Sequence, residues 1–298
     1  MVELDFARLR EVRARRPEAV VEAAAGRIRR PLLGGDGRLM IVAADHPARG
    51  ALGVRGVADA MADRYDLLCR LVTALGRPGV DGVLGTPDIL EDLLLLGALE
   101  DKIVIGSMNR GGLQGAVFEL DDRFTSYDAA GIAAMGFDGG KMLTRIDLSD
   151  ASTAKTLEAS GRAVSELAAR GIVAMVEPFL SRRVDGRVEN DLSAAAVVRS
   201  VAIASGLGVT SAYTWLKLPV VDDMAAVMAA TTLPSLLLGG DPSSQPVDTH
   251  AKWRDALALP GVRGLVVGRA LLYPPDGDVA AAVDAAVALV RLEGRVSR

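Results

Sequence analysis

The run AYTWLKLPVV, residues 212–221, sets one amine, Lys217, among apolar and aromatic side chains. A charged amine costs free energy when it leaves water, so its place there needs a reason. One reason is chemical. A lysine that gives up its proton attacks carbonyls, and desolvation or a neighbouring cation eases that loss. Three more polar groups stand at the ends of apolar runs: Asp45 in LMIVAAD, Lys141 in GGKML and Glu177 in IVAMVEP. An amine that adds to a ketone gives a carbinolamine and then an iminium. The iminium is an electron sink through which the adjacent C–C bond breaks or forms. In this chemistry Lys141 supplies the neighbouring charge, and Glu177 shuttles protons during carbinolamine formation and dehydration. Asp45 takes the proton of the substrate hydroxyl as the C–C bond breaks. Tyr213 is a second candidate proton carrier, because strand alternation puts it on the side of Trp215 and Lys217.

Other run ends suit an anion. SLLLGG ends in Gly239 and Gly240, and RGLVVGR ends in Gly268 and Arg269. Glycine lets an anion approach backbone N–H groups without a Cβ in the way. A guanidinium adds a planar set of donors suited to phosphate. His46 and Arg110, beside the ends of the first and third runs, are further candidates for substrate contact. His250 reads as structural. With two histidines and one cysteine in the chain, a three-histidine metal site is impossible within it. Asp45 and Glu177 can still supply oxygen ligands to Mg2+. A Mg2+-dependent keto-acid lyase is therefore the alternative, though it leaves Lys217 without a role. The expected chemistry is metal-independent and needs no cofactor.

These residues must be positioned by the elements that carry them. Eight short apolar runs recur, at 39–45, 81–85, 102–108, 139–143, 172–178, 213–219, 235–240 and 263–269, with amphipathic helical stretches between them. Continuous hydrophobicity suits strands buried on both faces of a parallel sheet. Eight such units predict an α/β fold, a closed (β/α)8 TIM barrel. The first run leads into AADHPARG rather than a Gly-rich dinucleotide fingerprint, which argues against a doubly wound sheet. The chain is expected to be one barrel domain, 38–298, after an N-terminal helical extension, 1–37. A long loop, MNRGGLQGAVFELDDRFTS, is expected over the catalytic face. In a barrel the C-terminal strand ends open into one pocket, so the groups named above would converge there.

Composition narrows the partners. Lys and Arg number 34 against 38 Asp and Glu, a net charge of −4, which offers no basic footprint for nucleic acid. The arginines at 8, 10, 13, 15 and 16 alternate with acids at helical spacing and read as a solvated helix face. Cys69 lies in the amphipathic stretch RYDLLCRLV and reads as a small core residue. The first residues, MVELDFARLR, do not resemble a signal peptide. No apolar run approaches the roughly 18 residues of a membrane span. A cytoplasmic location is expected.

AADHPARG, DGGKML, VEPF, YTWLKLP, LLLGGD and GLVVGRALL together resemble the class I, Schiff-base aldolases of the (β/α)8 type. These include deoxyribose-phosphate, tagatose-bisphosphate and archaeal-type fructose-bisphosphate aldolases. The likeness is greatest to an actinobacterial family of aldolase-like barrels associated with inositol catabolism, and it covers about residues 38–295. The resemblance implies that Lys217 is the Schiff-base lysine. It places Asp45, Lys141 and Glu177 as the strand-end acid, lysine and acid, and Gly239, Gly240, Gly268 and Arg269 as the phosphate cradle. It also implies a phosphorylated keto sugar as substrate, 2-deoxy-5-keto-gluconate 6-phosphate being one candidate, and a homo-oligomer. Two departures stand out: the first motif continues into Pro47, and Ala270 replaces the Asn that usually follows Gly-Arg. A sugar-phosphate-binding protein without catalysis is the alternative from another functional class.

Overall fold

A computed structural model describes residues 4–110, 112–240 and 246–293. All eight apolar runs form parallel strands. They are β1 Leu39–Ala43, β2 Gly82–Gly85, β3 Ile103–Ser107, β4 Gly139–Ile146, β5 Val173–Val184, β7 Thr214–Leu218, β8 Ser235–Leu238 and β9 Val262–Val267. A ninth strand, β6 Arg187–Asn190, pairs antiparallel with the end of β5 as a hairpin. The parallel strands run in the order β4-β3-β2-β1-β9-β8-β7-β5, and β4 pairs with β5, so the sheet closes into a (β/α)8 TIM barrel.

Side-chain parity divides two cores. Leu39, Ile41, Ala43, Ile103, Ile105, Val173, Met175, Trp215, Leu236 and Val266 fill the barrel interior. The alternate residues, such as Met40, Val42, Val104, Val176, Leu216 and Leu237, join the layer beneath the helices. Burial on both faces is why these strands read as unbroken apolar runs. At the β9–β1 seam, Gly264 has φ +134, and a Cβ there would lie 1.8 Å from the Leu39 carbonyl oxygen. Only glycine allows that approach.

The helices are α1 Phe6–Arg15, α2 Ala19–Gly26, α3 Arg64–Leu75, α4 Pro87–Leu95, α5 Ala129–Ala134, α6 Ser152–Ala168 and α7 Ala194–Ser205. They continue with α8 Met224–Ala229, α9 Pro246–Leu257, α10 Arg269–Leu272 and α11 Val279–Glu293. Asp63, Asp128, Ser193 and Asp223 cap α3, α5, α7 and α8, each accepting a backbone N–H of the first turn. Cys69 is buried on α3.

The helical extension breaks into α1 and α2, and the non-helical segment after α2 crosses the N-terminal end of the barrel. Arg27 donates to the carbonyls of Lys102 and Gly136 at 2.5 and 2.9 Å, and Arg30 pairs with Asp81 at 2.8 Å. Leu32 packs on the interior core. Arg13 departs from the solvated face expected of it: it pairs with Glu91 and Asp92 at 2.8 and 2.6 Å and docks α1 on α4. Among the described residues no helix is long and apolar enough to cross a membrane.

Candidate active site

On several strands the inward-facing row reaches charged residues near its C-terminal end. On β1 the series Leu39, Ile41, Ala43 leads to Asp45; on β5, Val173 and Met175 lead to Glu177; on β7, Trp215 leads to Lys217; Lys141 lies on β4. Each is at least nine-tenths buried: Asp45 4%, Lys141 2%, Glu177 7% and Lys217 4% exposed. Three strands and the turn after a fourth therefore aim charge into one small volume.

Lys141 Nζ lies 2.8 Å from Asp45 Oδ2 and 2.5 Å from Glu177 Oε2. Lys217 Nζ lies 3.0 Å from the other Glu177 oxygen, Oε1. One carboxylate thus bridges two amines. Burial works against charge on Asp45, but the charges of Lys141 and Lys217 outweigh it and hold that carboxyl well below the usual range. Burial opposes ionisation of Glu177 too, and the same two lysines override it and hold Glu177 at about 2. Burial by itself works against charge on Lys141. Asp45 and Glu177 reverse this and raise its pKa, so it stays an ammonium ion.

All four residues line a cavity of about 600 Å³ at the barrel mouth. Gly239, Gly240, Gly268, Arg269 and His46 line it as well, so the expected cradle and the expected amine share one chamber. Packing supplies a second reason for two of these glycines. A Cβ on Gly268 would meet the Ala43 carbonyl oxygen at 2.3 Å, and one on Gly239 would meet Val267 Cγ1 at 2.6 Å. Gly240 has φ +64, and a Cβ there would meet nothing. The Asp and Pro that follow in the LLLGGD motif region, residues 241–245, lie outside the described residues. His46 Nδ1 stands 3.8 Å from Asp45 Oδ1. Burial lowers its pKa to about 4, with Arg269 and the lysines assisting against Asp45, so the ring is neutral near pH 7.

Two candidates fall elsewhere. Tyr213 shares the side of Trp215 and Lys217 but sits at the other end of the barrel. It is 42% exposed, and its hydroxyl lies 3.7 Å from where a Cβ on Gly171 would be, just before β5 begins. Four residues of strand separate it from Lys217, about 13 Å. Parity fixes the side but not the height, and Tyr213 cannot carry protons at this site. Arg110 does not line the cavity; it donates to the Ala48 carbonyl at 3.2 Å. None of the residues described in the long loop 108–126 lines the cavity either. His250 stacks near Trp253 at 5.5 Å between ring centres, in keeping with a structural role.

The cavity also has walls that the run ends did not reveal. Phe179 and Leu143 continue the inward rows of β5 and β4, and Asn190 and Leu192 come from the end of the hairpin. Lys252 and Trp253 reach in from α9. Arg49 lines the floor and is fixed by Asp122 Oδ2 at 2.7 Å and the Asn109 carbonyl at 2.6 Å. Parity could have found Phe179; nothing local marks Lys252. The place between Asp45 and Glu177, where a Mg2+ ion would need both oxygens, is filled by the ammonium of Lys141. Among the described residues no three His, Cys, Asp or Glu side chains group as metal ligands.

A family model described as Cgl0159-like matches residues 37–287. The crystal structure of Cgl0159 from Corynebacterium glutamicum is 60% identical, covers 97% of each chain and superposes with a TM-score of 0.94. A Schiff-base-forming fructose-1,6-bisphosphate aldolase is 18% identical, with a TM-score of 0.64 over 91% of this chain and 99% of its own. An archaeal fructose-1,6-bisphosphate aldolase, its catalytic lysine covalently bound to the carbinolamine intermediate, is 19% identical. Its TM-score is 0.62 over 92% of this chain and 99% of its own. At that identity the two aldolases share the fold. No curated protein matches the chain.

Proposed function

The chain belongs to the Cgl0159-like family, and from the mouth of its barrel we propose that it is a class I aldolase. The observation that carries this reading is the buried pair of lysines joined through Glu177, with Lys217 open to the cavity. Lys141, locked between two carboxylates, is the fixed cation; Lys217, with a single carboxylate partner, is the nucleophile. Glu177 takes a proton from Lys217, and the free amine adds to the substrate ketone. A proton returns to the carbonyl oxygen, giving the carbinolamine, and loss of water gives the iminium. Asp45 then accepts the proton of the substrate hydroxyl. The C–C bond breaks, its electrons pass to the iminium, and an aldehyde leaves. Protonation of the enamine and hydrolysis free the ketone and restore Lys217. Glu177 is a weak base while both lysines are charged. Once Lys217 is neutral, one of those charges is gone and the carboxylate binds a proton more readily.

The substrate in this reading is a phosphorylated keto sugar with its phosphate at Gly239, Gly240, Gly268 and Arg269. The reaction needs no metal. 2-Deoxy-5-keto-gluconate 6-phosphate, cleaved to dihydroxyacetone phosphate and malonic semialdehyde, is the first compound to try. The test is reduction with borohydride in the presence of dihydroxyacetone phosphate. Mass spectrometry should find the adduct on Lys217, and Lys217→Ala should give none. Activity that EDTA abolishes and borohydride leaves intact would overturn the proposal.

A further inference from the structure

The cavity is charged unequally at its two ends. Toward β8 and β9 it has the glycine cradle, Arg269 and Lys252, whose neighbour Trp253 lies 3.5 Å from where a Cβ on Gly239 would sit. Across the barrel, toward β4 and β5, its wall is Leu143, Phe179, Asn190 and Leu192. No cation stands in that wall among the described residues. The other cations that line the cavity have partners: Lys141 and Lys217 pair with Asp45 and Glu177, Arg49 with Asp122, and Lys252 with Asp222 at 3.2 Å. Between Asn190 and Leu192 comes Asp191, exposed and outside the cavity lining; the Ser193 N–H, with Arg182 nearby, holds its carboxyl below its usual range. Asn190 Oδ1 accepts from the Ser181 hydroxyl at 2.9 Å, which leaves its NH2 as a neutral donor.

We infer that this site takes one phosphate, on the ketone half of its substrate, and selects against a second phosphate on the aldehyde half. This rests on the aldolase reading for the placing of the two halves about Lys217. A phosphate dianion brought against Phe179 and Leu143 would lose water without gaining a cation from the wall. An aldehyde fragment with hydroxyl or carbonyl oxygens instead meets the Asn190 amide. The hairpin β5–β6 is therefore the specificity element, with Asn190 its reading residue.

Fructose 1-phosphate and fructose 1,6-bisphosphate differ only in the distal phosphate, and they make the test. The wild-type enzyme should cleave the monophosphate with a kcat/KM at least about tenfold above that of the bisphosphate. Asn190→Arg, on an exposed strand end, should raise the bisphosphate-to-monophosphate ratio at least tenfold, and Leu192→Arg should act in the same direction. A wild-type preference for the bisphosphate would overturn the inference, even if dihydroxyacetone phosphate is trapped on Lys217. If it is not trapped, the aldolase reading fails separately, and calorimetry with the same two sugars decides the charge argument. Equal or tighter binding of the bisphosphate would sink it; weaker binding would sustain it.

Discussion

At the scale of single residues, the site is two acids and two amines whose charges exist because of one another. The folded pKa of Glu177, about 2, and that of Asp45, well below its usual value, lie under those of the unfolded chain. Each therefore adds stability that is complete above about pH 4 and is lost as pH falls through the folded pKa. Melting temperatures of the wild type should drop steeply between about pH 4 and pH 2. Glu177→Gln should remove much of that slope while lowering stability at pH 7. An unchanged slope in the variant would mean that other carboxylates set the acid limb. The residue types were legible because apolar runs ending in Lys, Asp and Glu are costly without partners. Tyr213 shows the limit of residue-level reading. Its type and parity suit proton transfer, yet it stands just before β7, exposed to solvent at the end of the barrel away from the site.

At the scale of elements, two segments between strands decide the shape of the mouth. In the loop between β3 and α5, Asp122 is fully buried and meets Arg49 at 2.7 Å and Arg145 at 3.4 Å; Arg145 also pairs with Glu119 at 2.7 Å. Asn109 joins this knot to β4, accepting from Leu143 N at 2.8 Å and donating to its carbonyl at 2.5 Å. The network ties the turn after β1, which bears Asp45, to the strand that bears Lys141. Asp122→Ala should cost about 3–5 kcal/mol, the usual effect of breaking a buried ion pair. Chemical denaturation measures that cost. If the network positions the site, kcat should fall in the same variant under conditions where it remains folded. The loop was expected over the catalytic face; it braces the mouth and lines none of the cavity in the residues described. The β5–β6 hairpin was not foreseen, although its signal was present. Asp185-Gly186, with φ +48 and +80, is a two-residue turn of the Asp-Gly type flanked by pairing strands. The apolar run before it drew the strand boundary too early.

At the scale of the molecule, the barrel is crossed below by the segment that follows α2 and is open above at the site. Arg27, Arg29 and Arg30 engage Asp138, Asp81 and backbone carbonyls around the lower ends of β2, β3 and β4. Removal of residues 1–30 would strip these partners from Asp81 and Asp138. The truncated chain should melt well below the intact one. While folded, it should still give the borohydride adduct, because the site lies at the opposite rim. Loss of the adduct in a folded truncation would show that the two ends are coupled. The sequence by itself determined the eight barrel strands, their burial on both faces and the charged groups at their ends. Those follow from local patterning, since a strand's hydrophobic period and its polar terminus are written in consecutive residues. Only the tertiary structure decided which of those groups meet, which glycines are required by packing, and which wall lacks charge. Residues such as Asp45 and Lys217 are 172 positions apart in the chain. Closure of the sheet, not their spacing, brings their side chains into one cavity.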